Sequence, residues 1–393
     1  MKRLSLLSLS VLLLAFLLGG CERVKQFVRT DTSNLVDPTP LEKDFRSTLD
    51  VDTLWSKKIG KGAEELYLKL TPSVIAGVLF VSDRYGRLIA TDINDGTELW
   101  AIHDKNVNYT TGPGGGEELV IIGTQDARVI ARNAKTGELR WVARVSSEVL
   151  AAPTEGSGVV VVRTGDGNVF GLDSKTGSEI WNYDRRVPSL TLRGTSSPVI
   201  NGSLVLSTFG NGRIVALDLF TGKVSWDSPI AIASGRSDLE RMVDVDTEPV
   251  IVGTTCYVSS FHGGIVAMST IDGQIEWTRE ISSYSNISVS TEHVYVADEE
   301  GAIWALDRRT GTSVWKQEAL KHRFTNGAIY FDGYVIAGDF EGFTHWFDAK
   351  NGDKVFQEKV SRHRILAPAI NTKNAVLTYS SRGTLTAMQI ARR

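Results

Sequence analysis

This sequence predicts an all-β fold: an eight-bladed β-propeller of four-stranded antiparallel blades, the last blade shared by strands from the N- and C-terminal ends. Three observations predict it. A polar turn phrase ending in an aromatic recurs seven times, a landmark of a small residue followed two later by Asp or a substitute recurs eight times in step with it, and no long amphipathic helical pattern follows the first twenty residues. The 393 residues include 37 Gly, and Trp, Tyr and Phe alternate with Val, Ile and Thr, as half-buried strands require.

The first element is a leader, residues 1–20. Lys2 and Arg3 precede an apolar run from Leu4 to Leu18, too short for a stable span and flanked as a secretory signal is. It ends LGGC, and small residues before Cys21 resemble the lipobox of bacterial lipoproteins, in which the cysteine takes a diacylglycerol thioether, the leader is removed and the new amine is acylated. Glu22 follows, where an aspartate would favour the inner membrane, so the expected location is the periplasmic face of the outer membrane, reached through a lipid anchor on Cys21. Three acyl chains hold far more firmly than one, whose grip is marginal and reversible.

Residues 21–45 form the second element, a lipid-tethered linker: DTSNLVDPTPLEKD is polar, holds two prolines and has no apolar period. Without the leader, 41 basic residues stand against 46 acidic ones, a balance of −5, with no basic stripe; nucleic acid is not an expected partner. Beyond Cys21 only Cys256 remains, in the strand-like TTCYVSS, and it is expected to be a buried core thiol.

The propeller itself spans 46–393. The turn phrases are DGTELW, TGELRW, TGSEIW, TGKVSW, DGQIEW, TGTSVW and NGDKVF, with the aromatic four residues past the turn glycine each time. Trp100, Trp141, Trp181, Trp226, Trp277 and Trp315 follow one another at 41, 40, 45, 51 and 38 residues, and Phe356 stands 41 further on. A period near 40 with several strands per unit is that of a propeller blade. Asp92, Asn133, Asp173, Asp218, Asp307 and Asp348 each sit four residues before the turn glycine, where a side-chain oxygen can accept N–H groups of the turn while Gly supplies positive φ. Each tryptophan is read as a bolt between neighbouring blades, its ring on the next blade and its indole N–H on a carbonyl. The eighth landmark, GTLTAMQ, has no turn phrase after it, and LDVDTLWSKKIG brings Trp55 with no repeat before it, so residues about 50–60 are expected to complete the last blade.

The AxDxxTGxxxW pattern resembles the tryptophan-docking repeat of quinoprotein dehydrogenases. With the lipobox, the eight units and no other domain, the chain resembles, over essentially its whole length, the BamB family, lipoproteins of the outer-membrane β-barrel assembly machinery. That resemblance implies a noncatalytic scaffold that docks on periplasmic POTRA domains of BamA, works beside other Bam lipoproteins, assists the folding and insertion of outer-membrane proteins and meets unfolded outer-membrane clients. No catalytic residue, cofactor or metal is expected. The alternative is a PQQ-dependent periplasmic dehydrogenase-like enzyme, and a sensor or adhesive propeller stands behind it. A quinoprotein dehydrogenase uses calcium and, in many members, a disulfide between adjacent cysteines, which a body with Cys256 alone cannot make. The six histidines show no HExxH or comparable metal spacing, the HR pairs at His322 and His363 are copies of one blade position, and GPGGGEE from Gly112 lacks GK[ST] and reads as a β turn.

Departures from the repeat are the candidate functional elements. VPSLTLRGTSSP, Val187 to Pro198, carries Leu190, Leu192 and Arg193; the 51-residue step holds IASGRSDLERMVDVDTEP with Asp244 and Asp246. Both lie between an outer strand and the next inner one. The leucines suit either a blade core or an interface anchor beside Arg193, and the family motif for BamA contact tips the reading to an interface. Asp244 and Asp246 match a second motif, and two roles stand: pairing with an Arg on BamA, or holding the Arg193 loop in shape, the latter slightly ahead.

Overall fold

The computed structural model describes residues 36–64, 66–116, 118–185, 196–231, 243–245 and 247–391. It is all-β, and its described strands fall into four-stranded antiparallel meanders that we number as units: unit 1 (73–103), unit 2 (114–144), unit 3 (154–183), unit 4 (199–229), unit 5 (250–279), unit 6 (288–317) and unit 7 (329–359). Unit 8 takes three strands from 370–390 and its fourth, outermost strand from Val51–Lys58, which pairs antiparallel with Thr384–Ile390. The register puts Trp55 opposite Ala387, as Trp100, Trp141, Trp226, Trp277 and Trp315 stand opposite Ala90, Ala131, Ala216, Ala267 and Ala305. The small residue of the landmark is thus the seat of the tryptophan on the neighbouring strand.

Middle strands are buried on both faces, VLFVS of unit 1 and VVVVR of unit 3 being typical, whereas outer strands alternate, as in LRWVAR of unit 2. The two faces of each middle strand serve two different cores. Leu79, Val81 and Ile89 pack with Leu377, Tyr379 and Leu385 of unit 8, while Phe80, Leu88 and Ala90 pack with Val120, Ile122 and Ile130 of unit 2. Similar clusters join units 2 and 3, 3 and 4, 4 and 5, 5 and 6, 6 and 7, and 7 and 8.

The turn phrases form as expected. Asp173 Oδ1 accepts the N–H groups of Lys175 and Thr176 at 3.1 and 2.8 Å, and Asp218 and Asp307 repeat the pattern. The hydroxyls of Thr176, Thr221 and Thr310 bond the same carboxylates, and these bonds first, with the backbone donors, hold all three acids below their ordinary pKa. At the turn Gly177 has φ of +72°, and a Cβ there would meet the Trp141 ring at 2.6 Å, so both conformation and clearance demand glycine. The tryptophans dock across units: Trp141 Nε1 donates to Ser174 O at 2.8 Å, Trp181 to Leu219 O at 2.8 Å and Trp277 to Arg308 O at 3.0 Å.

One place differs from the reading of the sequence. The glycine-rich GPGGGEE is no simple turn: Gly114–Gly115 is the innermost strand of unit 2 and makes a parallel bridge to Thr154 of unit 3, fusing the two units into one eight-stranded sheet. A Cβ on Gly114 would lie 1.9 Å from Pro153 O, so the run serves backbone approach. In unit 7 the landmark position is Trp346 rather than a small residue, and it faces Phe356 edge-on at 6.0 Å. Residues 39–49 also already touch the body: Thr39 N–H bonds Lys321 O at 3.0 Å, and Lys354 lies 4.2 Å from the Phe45 ring.

Candidate partner-binding site

The connections that lead into units 2, 3, 5 and 8 run past the turn between that unit's second and third strands. Isolated antiparallel bridges mark this at Tyr109 and Thr124, Val149 and Thr164, Asp244 and Phe261, and Ile365 and Ser380. An antiparallel meander dictates it, because the fourth strand ends at the end where the second strand turns. Connectors and second–third turns therefore share one end of the units, and the two long departures both open there, on either side of unit 4.

Of the residues singled out in those connectors, Leu190, Leu192, Arg193 and Asp246 lie outside the described residues, as does Cys21. Asp244 is described. It is 1% exposed, and its carbonyl accepts the Phe261 N–H at 2.9 Å, which places it under the surface against unit 5.

The flanks of the two connectors meet. Ser196, at the return of the first, is 1% exposed and touches the wholly buried Thr208, whose hydroxyl donates to Val245 O, in the second, at 2.8 Å. Arg163, itself 4% exposed, donates from Nη1 to Ser196 Oγ at 3.3 Å. The relay Arg163, Ser196, Thr208, Val245 thus crosses units 3 and 4 and ties the base of one connector to the base of the other. Beside it, Phe209 is flanked by two guanidinium groups, Arg163 at 5.3 Å and Arg185 at 5.4 Å from its ring centre. Arg185 is in turn held by Asp227 at 2.9 Å, which also takes Arg213 at 2.7 Å. Past the second connector, Thr247 exchanges two hydrogen bonds with the Ser259 backbone. These supporting residues went unread in the sequence; the departure that could have flagged them is TFGNG in unit 4, where units 2 and 3 carry TQD and TGD at the same turn.

The same end carries the segment 59–72. Lys69 Nζ donates to Tyr284 O at 3.2 Å, in the connector between units 5 and 6, and Leu66 and Tyr67 are exposed. Cys256 lies in the core between units 4 and 5, and burial pushes its thiol up to about 12. Among the described residues no group of three or more His, Cys, Asp and Glu is placed to hold a metal ion.

Comparison with known proteins adds the following. Residues 84–317 match the family model described as outer membrane protein assembly factor BamB. The outer membrane protein assembly factor BamB of Xanthomonas campestris pv. campestris is 35% identical over 404 residues, covering 99% of this chain and 98% of that relative. The crystal structure of BamB from Moraxella catarrhalis superposes with a TM-score of 0.79 at 25% identity, covering 87% of this chain and 100% of that one. A quinohemoprotein alcohol dehydrogenase from Comamonas testosteroni aligns at a TM-score of 0.68 and 13% identity, covering 90% and 79%, a likeness of fold alone.

Proposed function

The chain belongs to the BamB family of outer membrane protein assembly factors, and from that premise we propose that it is a noncatalytic scaffold of the outer-membrane β-barrel assembly complex, docking by the connectors on either side of unit 4. The observation that carries the docking assignment is the buried relay from Arg163 to Val245, which binds the bases of two otherwise separate loops into one surface. Leu190 and Leu192 then act as apolar anchors and Arg193 as the directional contact to a POTRA domain of BamA. Burial of Asp244 supports its internal role, with Asp246 beside it holding the loop.

The eight units form a closed ring of eight blades in this reading. Its support is the pairing of Val51–Lys58 with Thr384–Ile390 together with the cores on both sides of unit 8. Cys21 carries the lipid, and the chain after it tethers the ring to the periplasmic face of the outer membrane. Other Bam lipoproteins and unfolded outer-membrane proteins are further partners on the same reading. The dehydrogenase alternative rests on a likeness of fold and is not favoured.

The test is a pull-down of BamA from envelopes with the lipidated, folded chain. Leu190→Glu or Arg193→Glu is expected to reduce recovery at least tenfold at unchanged thermal midpoint; full recovery with both changes would remove the loop assignment.

A further inference from the structure

A second feature at the connector end belongs to none of the loops above. Between units 7 and 8 lies an open cleft of about 500 Å³ lined by Lys58, Lys359, Val360, Ser361, Arg362, His363 and Thr384. Its lining holds three permanent cations and a histidine and not one carboxylate, in a chain with more acidic than basic residues. Ion pairs form elsewhere: Arg128 with Asp126, Arg185 and Arg213 with Asp227, Lys316 and Lys321 with Glu318. Among the described residues no such pair forms in the cleft.

Two of the cations are nevertheless held in place. Lys58 Nζ donates to the Arg382 carbonyl across the rim, and the Lys359 ammonium sits 5.2 Å from the Phe343 ring centre. Ser361, 8% exposed, accepts the His363 N–H at 3.0 Å and so shapes the connector that presents Arg362 and His363. Positive groups gathered at fixed positions without a countercharge repel one another, and an anion relieves that repulsion. A phosphate group spreads its negative charge over several oxygens that can meet more than one cation, and a guanidinium fork matches phosphate oxygens.

We propose that the cleft of Lys58, Lys359, Arg362 and His363 is a binding site for a phosphate group, distinct from the partner-docking connectors at unit 4. The group comes either from a lipid headgroup or from a soluble phosphate compound, and two probes separate these sources. The full chain is titrated calorimetrically at low ionic strength with inorganic pyrophosphate and with glycerophosphoglycerol, the soluble headgroup of phosphatidylglycerol. Saturable binding is expected, weakened at least tenfold by Arg362→Glu and changed less than twofold by Lys350→Glu, which alters net charge equally on an exposed turn of unit 7. Binding of both probes assigns the site to headgroups, binding of pyrophosphate alone to soluble phosphate, and either supports the proposal. No saturable binding of either probe, or equal affinities for Arg362→Glu and Lys350→Glu, overturns it. Neither variant touches the BamA-docking loops, so the pull-down above and this titration fail independently.

Discussion

At the scale of single residues, the repeated tryptophan carries two separable contributions, an apolar face on the next unit's turn glycine and an indole N–H on a carbonyl three residues before that glycine. Trp181 shows both: its ring lies against Gly222 and its Nε1 bonds Leu219 O. Trp181→Ala is therefore expected to cost about 3–5 kcal/mol as a cavity, and Trp181→Phe about 1 kcal/mol for the lost hydrogen bond, both read from denaturant unfolding. Equal losses for the two variants would show that the bond, not the packing, dominates. The chain performs a version of this substitution itself. Phe356 holds the equivalent position of unit 7, facing unit 8, whose last two strands come from opposite ends of the chain and have no hairpin turn between them. With no turn phrase there to offer the usual carbonyl, a residue without an N–H is the better fit, and the bulk missing from Phe356 is supplied by Trp346 across the strand pair. Cys256 follows burial in the same way. With its thiol pushed up to about 12, it is expected to react with maleimide at pH 8 only after unfolding; native-state labelling at the rate of a free thiol would contradict its place in the core.

At the scale of elements, the Arg163–Val245 relay predicts that a wholly buried residue with no route to a partner still controls docking. Thr208→Val keeps shape and removes the donor to Val245 O, so BamA recovery should fall roughly three- to tenfold, with a stability loss of only about 1 kcal/mol. Unchanged recovery would mean that the two loops dock separately. A second polar cluster, in unit 7, makes a pH prediction. Burial holds His345 below the ordinary imidazole pKa against the opposing pull of Asp339, whose carboxylate lies 3.0 Å away. Asp339, though buried, stays below the ordinary carboxyl value through His345, the Phe343 N–H and Arg323. An unfolded histidine protonates near pH 6.5 and the folded one only at lower pH. The contribution is thus complete above about 6.5 and is lost as pH falls through the folded value. The thermal midpoint should drop more between pH 7.5 and 5.5 for the wild type than for His345→Gln; parallel curves would exclude the histidine as the cause. Turns and bolts were legible in the sequence because each repeats a local requirement, an acceptor, a positive φ, a flat ring, at a fixed spacing. Thr208, Phe209 and the innermost Gly114–Gly115 strand were not, because their roles depend on Val245, Arg163 and Thr154, each 37 residues or more away and brought near only by the stacking of units.

At the scale of the whole molecule, stacking alone would leave two unpartnered outer units, and the proposed ring avoids that by building unit 8 from both ends of the chain. What secures this joint is the Val51–Lys58 strand. It contributes Trp55 to the core shared with unit 1 and Val51 to the one shared with unit 7, so losing it would open both cores at once. Ser56 and Thr386 are direct partners across the joint, their hydroxyl oxygens 2.8 Å apart. Replacing both with cysteine should yield a disulfide on mild oxidation, since opposed strand partners bring Cβ atoms within bridging range and buried Cys256 does not compete. The bridge closes nearly the entire chain into a loop, and stabilisation of about 2–4 kcal/mol is expected for a well-placed crosslink. The measurement is the denaturant midpoint of the oxidised double variant before and after reduction. A midpoint that rises on oxidation and returns on reduction supports closure at this strand pair; failure to form the bridge in the folded protein would place Val51–Lys58 elsewhere and leave the ring open.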